Sequence, residues 1–241
     1  MTGPASLAKP RVVVLVAMAE EAAPFLARAQ SASAPVRRGV SEQRLLDVAG
    51  IGLLLVRTGV GLVNAAGAAT AAILRAGRPL AVISAGSAGG MAHRVRVGDV
   101  VLGGDCVNLD ADARAFGYAL GQVPGMPARY PADATLLAAA HAAPAEGFAV
   151  VEGLTASSYS FMTDARAGRA RADFPDIAAC DMESVAIAQT CFAHSVPFLS
   201  VRGISDLADA EAAVSFEQSL PLAAEHSALV TLHVAREALA G

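Results

Sequence analysis

The sequence predicts an α/β sandwich of three layers, in which helices cover a central mixed, largely parallel sheet. Two observations predict this fold class. Short runs rich in Val, Ile and Leu, typical of strands buried on both faces, alternate along the chain with segments of helical spacing. The hydrophobic fraction is 54%, yet aromatic residues make up only 5% and there is no Trp. Such a composition suits an aliphatic sheet under alanine-rich helices.

Strand-like and helix-like segments follow one another along the whole chain. Strands are predicted at residues 11–17, 45–48, 51–56, 80–85, 97–102, 148–154, 177–180 and 197–204. Helices are predicted at residues 20–29, 63–75, 132–143, 164–172, 182–193 and 216–239. Residues 49–50 are predicted to form a turn between two strands, and residues 86–90 (GSAGG) a glycine-rich turn after another. Residues 110–131 show little periodicity and are predicted to be a long irregular excursion, a length that often accompanies function.

The chain is predicted to form one domain over residues 11–241, because no linker, repeat or low-complexity segment interrupts it. Its 241 residues are enough to bury a substantial core. Residues 1–10 lack the basic start and the long apolar stretch of a secretory signal, and we predict a frayed tail there.

The composition argues against several classes of partner. The net charge is −4 and no Lys/Arg block is interleaved with aromatic residues, so nucleic acid is not an expected partner. No apolar stretch reaches the roughly 18–20 residues that a membrane-spanning helix needs, so no membrane partner is expected. Cys106, Cys180 and Cys191 are odd in number and show no CxxC spacing. This pattern favours a reducing compartment and predicts a cytoplasmic location.

Polar side chains follow four of the predicted strands. Glu21 comes after the first strand, Ser87 lies in the glycine-rich turn, and Glu183 and Asp206 follow two later strands. Ligands of open α/β sheets bind beyond the carboxyl ends of the strands, so these residues are expected to share a site. Any one acid could instead cap a helix or favour its dipole.

Other chemistries lack their motifs in this sequence. Residues 86–90 are not followed by the Lys of a P-loop, and the GxGxxG spacing is absent, so a dinucleotide or nucleoside triphosphate is a poor expectation. The five His residues show no metal spacing such as HExxH, and no Ser sits in GxSxG. No metal and no cofactor are therefore expected. Carboxylates suit the breaking of a glycosidic bond, in which one acid protonates the leaving group and another activates water.

Six motifs in register resemble those of the 5′-methylthioadenosine/S-adenosylhomocysteine nucleosidases of the purine nucleoside phosphorylase superfamily. Together they span nearly the whole chain. They are VAMAEEAAP at 16–24, TGVG at 58–61, SAGSAGG with VGDVV at 84–90 and 97–101, DADARAFGYALGQVPG at 110–125, DMESVAIA at 181–188 and RGISDLAD at 202–209. The resemblance implies a nucleoside phosphorylase-like fold and release of adenine from a small 5′-substituted adenosine. It also implies a role in methionine salvage.

The resemblance implies distinct roles for the acids. Asp206 looks like the general acid that protonates N7 of adenine, Glu183 like the residue that binds the ribose 2′- and 3′-hydroxyls, and Glu21 like the group that activates water. Ser87 and Arg202 look like helpers of Glu21. The neighbouring acids Glu20 and Asp181 receive no such role.

The remaining implied contacts line the ribose and the base. Met182 looks like the wall beside the ribose and Phe161 like the aromatic ring that stacks on adenine. Ser160 and Met162 occupy base-binding backbone positions. Ser205 is expected to contact the base side near Asp206.

The irregular segment 110–131 resembles a loop that crosses to the neighbouring subunit of a homodimer. In such a dimer Phe116, Tyr118 and Pro124 would line the neighbour's pocket for the 5′-alkylthio group. The apolar residues of this segment favour a covered loop over a plain surface loop.

The chain departs from the family pattern in two places. Many members carry Gly-Asp where this chain has Ser158 and Tyr159, ahead of the stacking Phe161. Residues 107–109 read Val-Asn-Leu where Tyr-His is frequent. The first departure concerns base orientation and the second the dimer surface.

Three alternatives to hydrolysis of 5′-thioadenosines remain at this point. A phosphorylase would need several cationic side chains to bind phosphate, and Arg202 alone would bind it weakly. A futalosine-type nucleosidase would place a different 5′ group beside Phe116 and Tyr118. A nucleoside-binding protein without turnover would be expected to lose one or more acids, and this chain keeps all three.

Overall fold

The computed structural model describes residues 10–240, and within them lie six α-helices, one short 3-10 helix and an eleven-stranded sheet. The strands are β1 (Val12–Val16), β2 (Ser31–Ala32), β3 (Val36–Arg38), β4 (Ser41–Val48), β5 (Ile51–Arg57), β6 (Ala81–Gly90), β7 (Val100–Asn108), β8 (Tyr130–Pro131), β9 (Val150–Ser157), β10 (Ile177–Asp181) and β11 (Phe198–Asp206). The α-helices are α1 (Ala19–Arg28), α2 (Leu62–Ala76), α3 (Ala134–His141), α4 (Asp164–Asp173), α5 (Ser184–His194) and α6 (Ala212–Ala240). The tail predicted at residues 1–10 lies, apart from Pro10, outside the described residues.

The predicted α/β fold class is confirmed by the mixed sheet at the centre of the molecule. Its strand order is β10-β9-β7-β11-β6-β1-β5-β4-β2, with β3 beside β4 and β8 beside β7. Strand β6 pairs in parallel with β1 and β11, and β1 pairs in parallel with β5. The carboxyl ends of these four strands therefore meet at one edge, where ligands of α/β sheets bind.

Strand β1 shows how the layers form. Its residues are all buried, and their side chains alternate between the two faces of the sheet. Val12 and Val14 pack in one cluster with Phe25 of α1 and with α3 and α6, whereas Val13 and Leu15 pack in another with α2 and α5. Helices thus cover both faces. No helix among residues 10–240 combines the length and apolar character needed to cross a membrane.

The predicted glycine-rich turn at residues 86–90 is wrong, because these residues continue strand β6. Their backbone pairs with β11 up to Gly89, and Gly89 and Gly90 also pair with β10. The glycines make room for side chains instead of turning the chain. A Cβ on Gly86 would lie 2.4 Å from Oε1 of Glu21, and one on Gly89 would lie 3.0 Å from Oδ1 of Asp206. Glycine inside a strand often marks such a close approach.

Other boundaries differ by a few residues. The short strands β2 and β3 were not predicted, since neither is long enough to show a period of two. Helix α5 begins at Ser184 and not at Met182, so Met182 and Glu183 lie in the connection between β10 and the helix. Helix α6 begins at Ala212, four residues before the predicted start.

We expect Gly203→Ala to destabilise the protein at the upper end of the roughly 1–3 kcal/mol that is typical of overpacking. A Cβ on Gly203 of β11 would lie 1.9 Å from the carbonyl oxygen of Ala223, so helix α6 would have to move away from the sheet. Urea unfolding measures the loss. The matched control is Gly52→Ala in β5, where a new Cβ meets no atom within 4 Å. Equal stability of the two variants would contradict this account of the contact between α6 and the sheet.

Candidate active site

A cavity of about 150 Å³ opens at the carboxyl edge of β1, β6, β10 and β11. It brings together eight of the residues predicted from the sequence: Glu21, Ser87, Phe161, Met162, Met182, Glu183, Ser205 and Asp206. Three carboxylates from distant parts of the chain therefore surround one space. Ser160, expected at a base-binding backbone position, also lies in the lining.

Glu21 lies in the first turn of α1 and is 2% exposed. Its Oε2 accepts hydrogen bonds from the backbone N–H of Ala17 (2.7 Å) and Met18 (3.1 Å). Its Oε1 accepts hydrogen bonds from the N–H of Ser87 (2.8 Å) and from the Ser87 hydroxyl (2.9 Å). These donors compensate the carboxylate for lost water and fix its direction. Ser87 is thus a direct hydrogen-bond partner of Glu21.

Asp206 is the last residue of β11 and is buried. Its Oδ2 accepts a hydrogen bond from the Ser205 hydroxyl (3.0 Å), and its Oδ1 accepts one from the N–H of Ala208 (3.0 Å). Burial raises the pKa of Asp206, although these two hydrogen bonds oppose the rise. A raised pKa favours the protonated form, which a general acid needs.

Glu183 is also buried, and it lies between a glycine turn and a buried cation. Its Oε1 accepts a hydrogen bond from the N–H of Gly61 (2.9 Å), and its Oε2 lies 3.7 Å from Nη2 of Arg202. Burial raises the pKa of Glu183 to about 7, and the charges of Asp181 and Glu21 add to the rise while Arg202 opposes it.

Arg202 was predicted as a catalytic helper, but it lies beneath the pocket and is absent from its lining. Its side chain is 1% exposed, its Nε is 2.8 Å from Oδ2 of Asp181, and its Nη2 donates to the Ser84 hydroxyl at 2.7 Å. Arg202 is therefore placed to neutralise the acids and to position them. Contact with a ligand in the pocket would require it to leave these partners.

Asp181 received no role from the sequence, yet it organises the connection that carries Glu183. Its Oδ1 accepts hydrogen bonds from the Ser157 hydroxyl (2.5 Å) and from the N–H groups of Glu183 (3.2 Å) and Ser184 (3.1 Å). It also lines the pocket. Its place after the strand predicted at 177–180, two residues before Glu183, was the available signal, and that signal did not separate the two acids.

Phe216 is a lining residue that the sequence did not reveal. Its ring meets Phe161 edge to face, with centroids 5.9 Å apart and planes at 79°. The two residues lie far apart in sequence, on α6 and on the connection after β9, so no local pattern joins them. The lining residues Ala17, Met18, Val60, Ala88, Gly89 and Cys180 were not predicted either.

Phe116, Tyr118 and Pro124 do not line this pocket. Phe116 ends the 3-10 helix Arg114–Phe116 and is 82% exposed. Their expected contact with a neighbouring subunit stays a prediction. Among residues 10–240, no group of three His, Cys, Asp or Glu residues could hold a metal ion.

We expect Glu183→Gln to remove a loss of stability that the protein otherwise suffers between about pH 4.5 and pH 7. The pKa of Glu183 is about 7 in the folded protein, against 4.5 for an ordinary Glu. Folding therefore favours the protonated form, and stability declines as pH rises through this window, by on the order of 3 kcal/mol. Urea unfolding at pH 5 and pH 8 should show the variant gaining on wild type at pH 8.

The control for this pH effect is Glu42→Gln. The hydrogen bond from Arg44 leads the effects that lower the pKa of Glu42, so its stabilising contribution is lost only below pH 4.5. Its difference from wild type should be the same at pH 5 and pH 8. A constant difference for Glu183→Gln as well would contradict the raised pKa.

The fold and the acid-lined pocket define a member of the phosphorylase superfamily, since the family model of that description matches residues 11–236. The 5′-methylthioadenosine/S-adenosylhomocysteine nucleosidase of Geobacillus kaustophilus is 44% identical over 226 residues, which cover 92% of this chain and 95% of that protein. The chain therefore belongs to the family of 5′-methylthioadenosine/S-adenosylhomocysteine nucleosidases within that superfamily.

Solved structures agree with this assignment. The nucleosidase of Neisseria meningitidis in complex with methylthio-immucillin-A has a TM-score of 0.88 and 38% identity, over 92% of this chain and 97% of that chain. The nucleosidase of Colwellia psychrerythraea in complex with adenine has a TM-score of 0.90 and 32% identity, over 95% and 96%. The futalosine hydrolase of Helicobacter pylori also matches, with a TM-score of 0.88 but 26% identity, over 95% and 98%.

Proposed function

We propose that this protein hydrolyses the N-glycosidic bond of 5′-methylthioadenosine, S-adenosylhomocysteine or a related 5′-substituted adenosine and releases adenine. One observation carries the proposal: Glu21 packs against Gly86 and Asp206 against Gly89 of the same strand. Both side chains line the same cavity as Glu183, so one acid can protonate the leaving group while another activates water, as in glycoside hydrolysis.

The proposed chemistry assigns one task to each acid. Protonated Asp206 gives its proton to N7 of adenine as the glycosidic bond breaks. Glu183 binds the ribose 2′- and 3′-hydroxyls and offsets the positive charge that develops on the sugar. Glu21, held by backbone donors and by Ser87, orients the water that adds at C1′ and accepts the proton that this water loses. No metal or cofactor takes part in these steps.

The pocket walls are proposed to select a purine nucleoside. Phe161 stacks on the base and is supported by Phe216, while Ser160 and Met162 offer backbone groups to it. Ser205 keeps Asp206 oriented towards the base side. Met182 packs against the ribose.

Phosphorolysis is the rival reaction, and the lining disfavours it. Among the described residues that line the pocket there is no Arg, Lys or His to bind phosphate. Arg202 already pairs with Asp181. We expect cleavage of 5′-methylthioadenosine to proceed at the same rate with and without phosphate and to yield the free sugar. Strict phosphate dependence, with a sugar 1-phosphate as product, would refute hydrolysis.

The 5′ substituent is tested by comparing turnover of four substrates. They are 5′-methylthioadenosine, S-adenosylhomocysteine, 5′-deoxyadenosine and a futalosine analogue. We expect the two thioadenosines to have the highest kcat/KM. A clear preference for the futalosine analogue would instead assign the protein to the futalosine-type nucleosidases.

We also propose a homodimer in which the segment 110–131 completes the neighbour's pocket. Phe116 is 82% exposed in this segment, so its ring is accessible to a neighbouring subunit. Sedimentation analysis tests for the dimer. A monomer with the same kcat/KM as the dimer would contradict the shared pocket.

A cytoplasmic location and a part in methionine salvage complete the proposal. The three cysteines are free and buried, as suits a reducing compartment. Cell fractionation, and growth on 5′-methylthioadenosine as a sulfur source, would test these two points.

A further inference from the structure

Two walls of the pocket come from segments that are far apart in sequence. We call residues 158–162 the base loop, because Ser160, Phe161 and Met162 line the proposed base side. We call residues 59–63 the Gly61 turn. It contributes Val60 to the lining, and the N–H of Gly61 binds Glu183.

The side chain of Tyr159 joins the two walls without lining the pocket itself. It starts from the base loop, and its hydroxyl oxygen accepts a hydrogen bond from the N–H of Val63 (3.0 Å). Its ring lies over the Gly61 turn, since a Cβ on Gly61 would be 3.4 Å from Cε1 of Tyr159. One phenol thus reaches from the base side to the turn that holds Glu183.

This contact acts as a long-range helix cap. Helix α2 begins after Gly61, which has no side chain with which to cap it. The N–H groups of a first helical turn lack partners within the helix and need an external acceptor. The phenol oxygen of Tyr159 supplies one at Val63, and it thereby fixes the start of α2 and the Gly61 turn before it.

The base loop has a separate anchor. Asp110 accepts hydrogen bonds from the Ser158 hydroxyl (2.9 Å) and from the N–H of Tyr159 (2.8 Å). The Ser158 hydroxyl oxygen in turn accepts the N–H of Ser160 (3.1 Å). These bonds do not involve the phenol. Loss of the phenol contact should therefore loosen the Gly61 turn, which keeps the hydrogen bond from the N–H of Gly59 to the carbonyl oxygen of Ala17, and leave the base loop in place.

We propose that Tyr159 is a positioning residue, which holds the Gly61 turn and so keeps Glu183 at the distance from the base wall that a whole nucleoside requires. The inference rests on the proposed roles of Glu183 and Phe161. Tyr159 would thus favour binding of a nucleoside over binding of the free base, although its side chain does not line the pocket.

The test is Tyr159→Phe, which removes the hydroxyl and keeps the ring. We expect KM for 5′-methylthioadenosine to rise about two- to tenfold with kcat within twofold, because one hydrogen bond that supports ground-state and transition-state binding alike is lost. Adenine does not reach Glu183, so its inhibition constant should stay within twofold of wild type.

The matched control removes a cap from another helix. Asp133 caps α3 by accepting the N–H of Thr135 and Leu136, and it does not line the pocket. Asp133→Ala should lower the melting temperature and leave KM unchanged. An unchanged KM in Tyr159→Phe, or an equal rise in KM and in the adenine inhibition constant, would overturn the inference. Absence of cleavage by the wild type would instead refute the proposed function.

Discussion

Replacing Asp206 with asparagine is expected to lower kcat by at least roughly 100-fold while the fold is retained. The side chain lies at the end of β11, and burial raises its pKa. A larger fraction of Asp206 is therefore protonated near neutral pH than of an ordinary Asp. Asparagine is nearly the same shape and can accept the N–H of Ala208, but it has no proton to give to the leaving base.

Steady-state cleavage of 5′-methylthioadenosine measures this loss, and thermal unfolding checks the fold. The matched control is Asp173→Asn, which changes an exposed acid on α4 that does not line the pocket, and this variant should turn over at the wild-type rate. Near wild-type kcat for Asp206→Asn would exclude Asp206 as the general acid. A loss of melting temperature that matched the loss of activity would point to a structural role instead.

Replacing Arg202 with methionine is expected to destabilise the protein by about 3–5 kcal/mol, the usual effect of leaving a buried charge without its partner. Arg202 is the cation beneath the pocket, 2.8 Å from Asp181 and 3.7 Å from Glu183. Without it, these carboxylates would repel one another in a medium that screens poorly. Methionine fills a similar volume, so the change mainly removes charge and hydrogen bonds.

Urea unfolding tests this effect against an exposed ion pair. Arg129→Met removes a similar contact to Asp176, at 2.5 and 3.1 Å, but on the surface, and it should cost no more than about 1 kcal/mol. If Arg202→Met is too unstable to purify, the double variant with Asp181→Asn should recover part of the loss. Equal losses for the buried and exposed pairs would contradict the role of Arg202.

Much of the fold was predictable because its signals are local. The run of β-branched residues in β1 is buried on both faces whatever its neighbours, and the helical spacing of α2 does not depend on its partners. The residues of the site were predictable only as members of motifs in register. Position alone placed acids at the edge of the sheet and did not separate Glu183 from Asp181.

The errors lie where a tertiary contact decides the outcome. The glycines at positions 86, 89 and 90 are compatible with a turn and with a strand that a carboxylate approaches closely. Only the positions of Glu21 and Asp206 in space distinguish the two. Arg202 carries the same local pattern whether it faces the pocket or lies beneath it. Phe216 meets Phe161 through the packing of α6, which no short segment encodes.

Strand β10 pairs with both β9 and β6, so one end of the sheet closes on itself while the other end stays open. Strands β6, β11, β7, β9 and β10 close into a ring, so each of them has a neighbouring strand on both sides, whereas the sheet remains open beyond β2 and β3. Backbone amides in such a ring can exchange with solvent only if several strands separate together. The floor of the pocket is therefore stiff, whereas the walls at residues 59–63 and 158–162 lie outside the ring and are held by side-chain hydrogen bonds.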